Sequence, residues 1–152
     1  MPNFNKIKHK NVITCKEAIV ERKINLKQEL KTLLLHVDSK VIAVHIRGSD
    51  RLKIKTVKKI FRTKNIIFVE NNFLSNVKLS KGLINPWNID FCQYNLVCLN
   101  VFNNRFMSTN NGKFDEGIFF KTEELLKVKN IIFGKFGEIH ESNWFKYSAD
   151  CW

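Results

Sequence analysis

The spacing of apolar and polar positions changes along this chain, and the changes mark out helices and strands. Thr14 precedes a run at 15–23 in which Ala18 and Ile19 can face a core, and Glu17 follows Thr14 by three residues. That spacing is a capping box: hydroxyl and carboxylate each take a free backbone N–H, which predicts a first helix. At 55–62, Val57, Ile60 and Phe61 follow the i, i+3, i+4 rhythm, with Lys55, Lys58, Lys59 and Arg62 on the other side. This predicts an amphipathic helix with a basic outer face.

Leu33, Leu35 and Val37, then Val41, Ala43 and either His45 or Ile46, form two β-rich runs separated at Ser39-Lys40, which predicts a hairpin. Further β-rich runs lie at 66–69, 96–102, 117–121 and 130–133, and Thr122 is placed to cap a short helix carrying Leu125 and Leu126. The reading is α+β with about six strands, too many of them adjacent for a doubly wound sheet. The segment 81–88 holds Gly82 and Pro86 among apolar residues and reads as an ordered loop; the Asn-rich 103–112 reads as a second loop. An aromatic tail occupies 140–152.

Composition narrows the class. At 152 residues with 13 Phe, 6 Gly and 2 Pro, the chain has material for one compact domain and little for linkers. Lys and Arg number 26 against 14 Asp and Glu, a net charge of +12, so a polyanion such as nucleic acid is the first partner to consider. Residues 1–10 are polar and basic, and no later run approaches the roughly 20 apolar residues that cross a bilayer. A cytoplasmic protein without a membrane partner is expected. Cys15, Cys92, Cys98 and Cys151 have neither CxxC spacing nor a His partner, so reduced thiols are expected, with no metal or cofactor.

Several segments, taken in order, resemble the YbaK-like aminoacyl-tRNA deacylase and prolyl-tRNA-synthetase-associated domain family. His9, Thr14, Glu17, Ala18 and Lys31-Thr32-Leu33-Leu34-Leu35 are similar to its opening pattern. Arg47-Gly48-Ser49-Asp50, leading through Leu52 to Lys55, resembles its Arg-Gly-Asp and Leu-x-x-Lys segment; Gly82-Leu83-Ile84-Asn85-Pro86 resembles its Gly-x-x-x-Pro loop. The stretch 108–125 resembles its closing segment, so the likeness covers about 9–128. The sequence departs from the pattern at Lys53, where an acidic or amide residue is usual, at Asn85, and in lacking a Gly upstream of Gly82.

The resemblance implies a single domain over 1–152, with its core at 9–134, built on a mixed, barrel-like sheet of six or seven strands with surrounding helices. It implies a metal-independent trans-editing hydrolase that cleaves the ester of a mischarged tRNA, with Ala- or Cys-tRNA(Pro) as the substrate guess. Lys55 falls on the family's functional lysine and would place a positive charge beside the terminal phosphate or the oxyanion. Gly82 and Pro86 would shape the catalytic loop, its N–H groups aimed at the carbonyl. Ser108 would contact substrate, and Asp115 or Glu116 would bind its ammonium or orient water. Arg47, Arg51, Lys58, Lys59 and Arg62 would contact tRNA, as would Lys6, Lys8 and Lys10. His9, His36 and His45 read as structural. A synthetase is a further partner, and a monomer or homodimer is expected. The alternatives are a non-catalytic tRNA- or RNA-binding module of the same fold and an interaction protein that uses its charge on another acidic surface.

Overall fold

The computed structural model describes residues 5–139; residues 1–4 and the tail at 140–152 lie outside them. The described chain runs β1 (Asn5–Lys8), α1 (Cys15–Arg22), β2 (Leu30–Val37), β3 (Lys40–Arg47), β4 (Asp50–Leu52), α2 (Ile54–Phe61), β5 (Ile66–Phe68), α3 (Asn71–Asn76), β6 (Tyr94–Cys98), β7 (Phe106–Lys113), β8 (Glu116–Lys121), β9 (Ile131–Gly134) and β10 (Gly137–Ile139). The α+β class is as expected, but ten strands form among the described residues, in three sheets. The central sheet has the order β5-β2-β3-β6-β9, antiparallel across β5, β2 and β3 and parallel from β3 through β6 to β9. An antiparallel β1-β8-β7 sheet and a β10-β4 pair complete the framework.

The capping box forms as the spacing requires: Glu17 N–H donates to Thr14 Oγ1 at 3.2 Å, and Thr14 N–H donates to Glu17 Oε1 at 3.3 Å. The hairpin also forms, one residue earlier than expected. Val37 pairs with Lys40, so Asp38 and Ser39 make the two-residue turn, with Asp38 at φ 53° as such a turn demands. On α2, Val57 is buried and Ile54 and Phe61 pack on the core, whereas Ile60 is exposed.

Both faces of the β2-β3 hairpin are covered, which is why the run at 30–35 is nearly continuous in Leu. Leu33, Leu35, Ile42, Val44 and Ile46 join Met107, Ile118, Phe120 and Phe136 in the larger core; Leu34 and Ala43 join Val69, Leu74, Ile84 and Cys92 in the smaller. A polar row crosses the central strands beside the smaller core. Thr32 Oγ1 lies 2.8 Å from His45 Nδ1, His45 Nε2 lies 2.8 Å from Asn95 Oδ1, and Asn95 Nδ2 donates to Lys129 O at 2.9 Å. Asn95 Oδ1 can only accept, so the ring proton sits on Nε2 and Nδ1 accepts from the Thr32 hydroxyl.

Three expectations change. The Asn-rich segment at 103–112 is largely strand β7, because its polar side chains are satisfied within the fold. Thr109 Oγ1 donates to Leu30 O at 3.2 Å and Asn110 Nδ2 donates to Ile84 O at 2.7 Å. Thr122 opens a 3-10 segment, Thr122–Lys127, and its hydroxyl is taken by Asn104 O rather than by a helix N–H. Cys15 is disulfide-bonded rather than reduced; Cys92 and Cys98 are free and buried, and Cys151 lies outside the described residues.

Burial pushes the His45 ring from its usual 6.5 down to about 4. The unfolded ring therefore takes a proton that the folded ring refuses, and stability falls as pH drops through 6.5 toward 4. His45→Gln is expected to be less stable at pH 7. Its further loss between pH 6.5 and 4 should be smaller than that of the parent by up to about 3 kcal/mol. Urea denaturation at both pH values measures the difference.

Candidate active site

The C-terminal turn of α1 places Arg22 inside the protein, 5% exposed. Its Nη1 donates to Glu29 Oε1 at 2.5 Å and to Ser108 Oγ at 3.3 Å, and its Nε donates to His9 Nε2 at 3.3 Å. Glu29, just before β2, is also buried, and a parallel bridge joins it to Ser108 of β7. The side chain of Arg22 lies across Gly117 of β8, where a Cβ would stand 2.2 Å from Nε. Only glycine allows this approach.

Above this pair lies a recess of about 30 Å³ lined by residues of five segments, among them Thr14, Glu29, Lys31, Gly82, Ile84 and Asn110. A water molecule needs roughly 10–15 Å³ by this measure, so the recess accepts a methyl-sized group and little more. Arg22 forms part of its wall, and Lys113 stands at its edge, with a side chain that is 66% exposed and 3.8 Å from Glu116. Glu29 and Lys31 are two residues apart on extended backbone and therefore share a side. Lys31 is 6% exposed. Gly82, at φ +85°, presses against Ile13 O, which a Cβ would meet at 3.1 Å. The N–H groups of Gly82 and Ile84 have no hydrogen-bond partner among the described residues. Burial pushes the Glu29 carboxyl up to about 7, against the opposing pull of Arg22 and Ser108. The recess thus brings together cationic, ionisable and N–H donor groups around a small volume.

The residues picked out from sequence are divided by the fold. Gly82 lines the recess; Ser108 lies beneath it, fully buried on Arg22. Pro86 lines a different cleft, of about 540 Å³, together with Trp87, Asn95, Glu124 and Lys127. The charged groups of that cleft are engaged locally: Lys127 Nζ lies 2.9 Å from Glu124, and Lys129 Nζ donates to Asp90 O at 2.7 Å. Lys55 is exposed on α2 and does not line the recess. Glu116 is buried, with Asn111 Nδ2 donating to it at 2.6 Å, whereas Asp115 is exposed and its carbonyl accepts from His9 N–H. Arg47 is buried and its guanidinium grips Asp50 at 3.1 and 3.2 Å, which removes it from the outer basic face. Arg51, Lys59 and Arg62 are exposed and Lys58 is half-buried.

Arg22, Glu29, Lys31 and Asn110 were given no chemical role by the sequence patterns. Lys31 and Glu29 did carry a signal, since two charges adjoin a strand otherwise made to be buried. Arg22 carried none, because nothing local shows that a helix-ending arginine turns inward. Asn110 was hidden in a segment that reads as loop.

The sequence profile of the aminoacyl-tRNA editing domain matches residues 9–100. No curated protein matches the chain. Solved structures share the fold. The hypothetical protein APE2540 superposes with a TM-score of 0.81 at 18% identity, covering 90% of this chain and 92% of its own. A candidate trans-editing enzyme for prolyl tRNA synthetase superposes with a TM-score of 0.77 at 12% identity, covering 89% and 87%. A scaffold protein used for computational epitope grafting gives 0.79 at 13% identity, covering 89% and 86%. With the profile spanning more than half of its length, the chain belongs to the aminoacyl-tRNA editing domain family.

Proposed function

We propose that this chain is a trans-editing deacylase that hydrolyses the ester of a tRNA mischarged with a small amino acid. The observation that carries the reading is the recess, in which Lys31, Glu29 and two unpartnered loop N–H groups surround a volume of about 30 Å³. Ester hydrolysis requires a held carbonyl, charge stabilisation where the oxyanion develops, and a water positioned for attack. Lys31 supplies the positive charge, and Gly82 and Ile84 supply N–H donors on a loop whose polar side chains lock it. Asn85 Oδ1 accepts from Trp87 N–H at 2.8 Å, and Asn88 Oδ1 accepts from Asn85 N–H at 2.9 Å.

The size of the recess favours alanine, then cysteine, over branched or aromatic side chains. Prolyl-type tRNA is the favoured carrier, on the strength of the structural neighbour described for prolyl tRNA synthetase. The exposed cations of α2, including Lys55, Lys59 and Arg62, serve as phosphate contacts, together with Arg51 and Lys58. Such contacts give affinity without reading sequence.

Three outcomes are expected. In a panel of mischarged tRNAs, alanyl ester is cleared fastest and valyl or phenylalanyl ester at the buffer rate; tRNA binding with no turnover anywhere in the panel would instead identify a binding module. Lys31→Ala loses on the order of a hundredfold in single-turnover rate, as removal of one oxyanion contact does, while Lys55→Ala keeps the rate and weakens binding. Finally, four to six phosphate contacts should weaken tRNA binding by on the order of 10²–10³-fold between 50 and 200 mM salt, measurable by filter retention.

A further inference from the structure

We infer that Glu29 is the group that takes the proton from the attacking water and returns it to the departing ribose oxygen, with Arg22 as the residue that positions it. The inference rests on the ester-hydrolysis reading of the recess and adds a residue that the sequence patterns did not mark.

The geometry divides the two carboxylate oxygens. Oε1 is taken by Arg22 Nη1. Oε2 is buried, belongs to a residue lining the recess, and has no hydrogen-bond partner among the described residues. A buried acceptor left unpaired is unfavourable, and such atoms in native folds are usually met by something that donates. On this reading that donor is the hydrolytic water, which the side chain must shift to admit, because Oε2 is closed to water in this arrangement.

Arg22 cannot readily release its grip. Its other bonds, to His9 and Ser108, come from two further segments, and Gly117 closes over its stem. The carboxylate is therefore held with Oε1 on Arg22 and with Oε2 buried and without a hydrogen-bond partner among the described residues.

The charged surroundings suit a proton carrier. Facing Glu29 are Arg22 from α1 and Lys31 from β2, with Lys113 of β7 at the edge of the recess; the His9 ring lies on Arg22, and Glu116 of β8 is bound by Asn111 and by Lys113. Burial outweighs the pull of Arg22 and Ser108 and lifts the carboxyl to about 7, where it both accepts and returns a proton near neutrality.

The step balances without any other reactant. Water gives a proton to Oε2 as its oxygen bonds the ester carbonyl carbon, forming a tetrahedral oxyanion beside Lys31 and the loop N–H groups. The oxyanion collapses, the bond from carbon to the ribose oxygen breaks, and that oxygen takes the proton from Glu29. The products are the free amino acid and uncharged tRNA, with Glu29 ionised again.

The test is single-turnover hydrolysis of alanyl-tRNA between pH 5.5 and 8.5, corrected for hydrolysis in buffer alone. The parent rate should rise about tenfold per pH unit below pH 7 and level off above it. Glu29→Gln should lose about a hundredfold or more in the plateau rate and lose the acidic limb, with tRNA affinity close to the parent's and a lowered melting temperature, because the variant leaves the buried Arg22 without its counter-charge. Glu29→Asp, which keeps the acid, should retain a pH-dependent limb at reduced rate even if Glu29→Gln folds poorly. Arg22→Lys should lower the rate and shift the limb.

The inference is overturned if Glu29→Gln keeps the acidic limb with a rate within about threefold of the parent. It is also overturned if the loss falls wholly on KM, which would make Glu29 a binding partner of the substrate ammonium. If the parent hydrolyses no ester in the panel, the ester-hydrolysis reading itself fails, a result distinct from either of these.

Discussion

The guanidinium of Arg22 lies where four parts of the chain converge. It joins the end of α1 to the start of β2 through Glu29, reaches β7 through Ser108, and takes the ring of His9 from the segment after β1. An ion pair withdrawn from water gains stability only when its remaining donors are also satisfied, and removing one partner of such a pair typically costs about 3–5 kcal/mol. That penalty makes the convergence all-or-none. It also explains Gly117: a side chain at that point of β8 would occupy the same space as Arg22 Nε, so the sheet leaves a gap for the helix residue to cross. The local geometry of β8, the register of β7 and the exit of α1 are coupled through one side chain.

The recess depends on the central sheet for rigidity. Lys31 precedes Thr32, whose hydroxyl is fixed by His45, which is fixed in turn by Asn95. A one-residue slip of β2 against β3 would break that row and turn Leu34 out of the smaller core. Buried polar rows of this kind specify register more than they add stability, because a partly satisfied row is worse than none. The same register holds Glu29 and Lys31 at the recess. The candidate site is thus carried by a buried strand on one side and by a loop braced by its own Asn side chains on the other, an arrangement that keeps its groups in place before substrate arrives.

What could be read from sequence follows the range over which each interaction acts. The capping box at Thr14 and Glu17, the β2-β3 hairpin and the basic face of α2 are set by neighbours within a few residues, and the residue spacing shows them. The sequence of strand β7 reads as a loop because Asn110 and Thr109 find their partners in Ile84 and Leu30, 26 and 79 residues away. The site was affected in the same way. Gly82 is picked out by its place in a short local pattern, the Gly-x-x-x-Pro segment, but Arg22 and Ser108 meet across 86 residues of chain. Lys55 is picked out by its resemblance to the family's Leu-x-x-Lys segment; the structure places it exposed on α2, away from the recess. Lys31, inside an apolar run, is the rarer event, and the cost of burying a charge there was the stronger signal.

A small recess also limits the kind of discrimination the protein can perform. A cavity of methyl size excludes larger side chains by overlap, but it has no means of rejecting a smaller one except the modest loss of contact area. On the proposed reading, this makes the recess a second sieve: an alanyl ester enters, and the larger prolyl ester that belongs on the same tRNA stays outside. The sieve does not know which tRNA carries the ester. Correctly charged alanyl-tRNA would fit equally well at the acyl end, so its protection must come from the tRNA body. On the same reading, the basic face of α2 would hold phosphates without reading bases. Selectivity for the tRNA must therefore arise from a shape or base contact beyond the recess, or from a synthetase that presents the mischarged product.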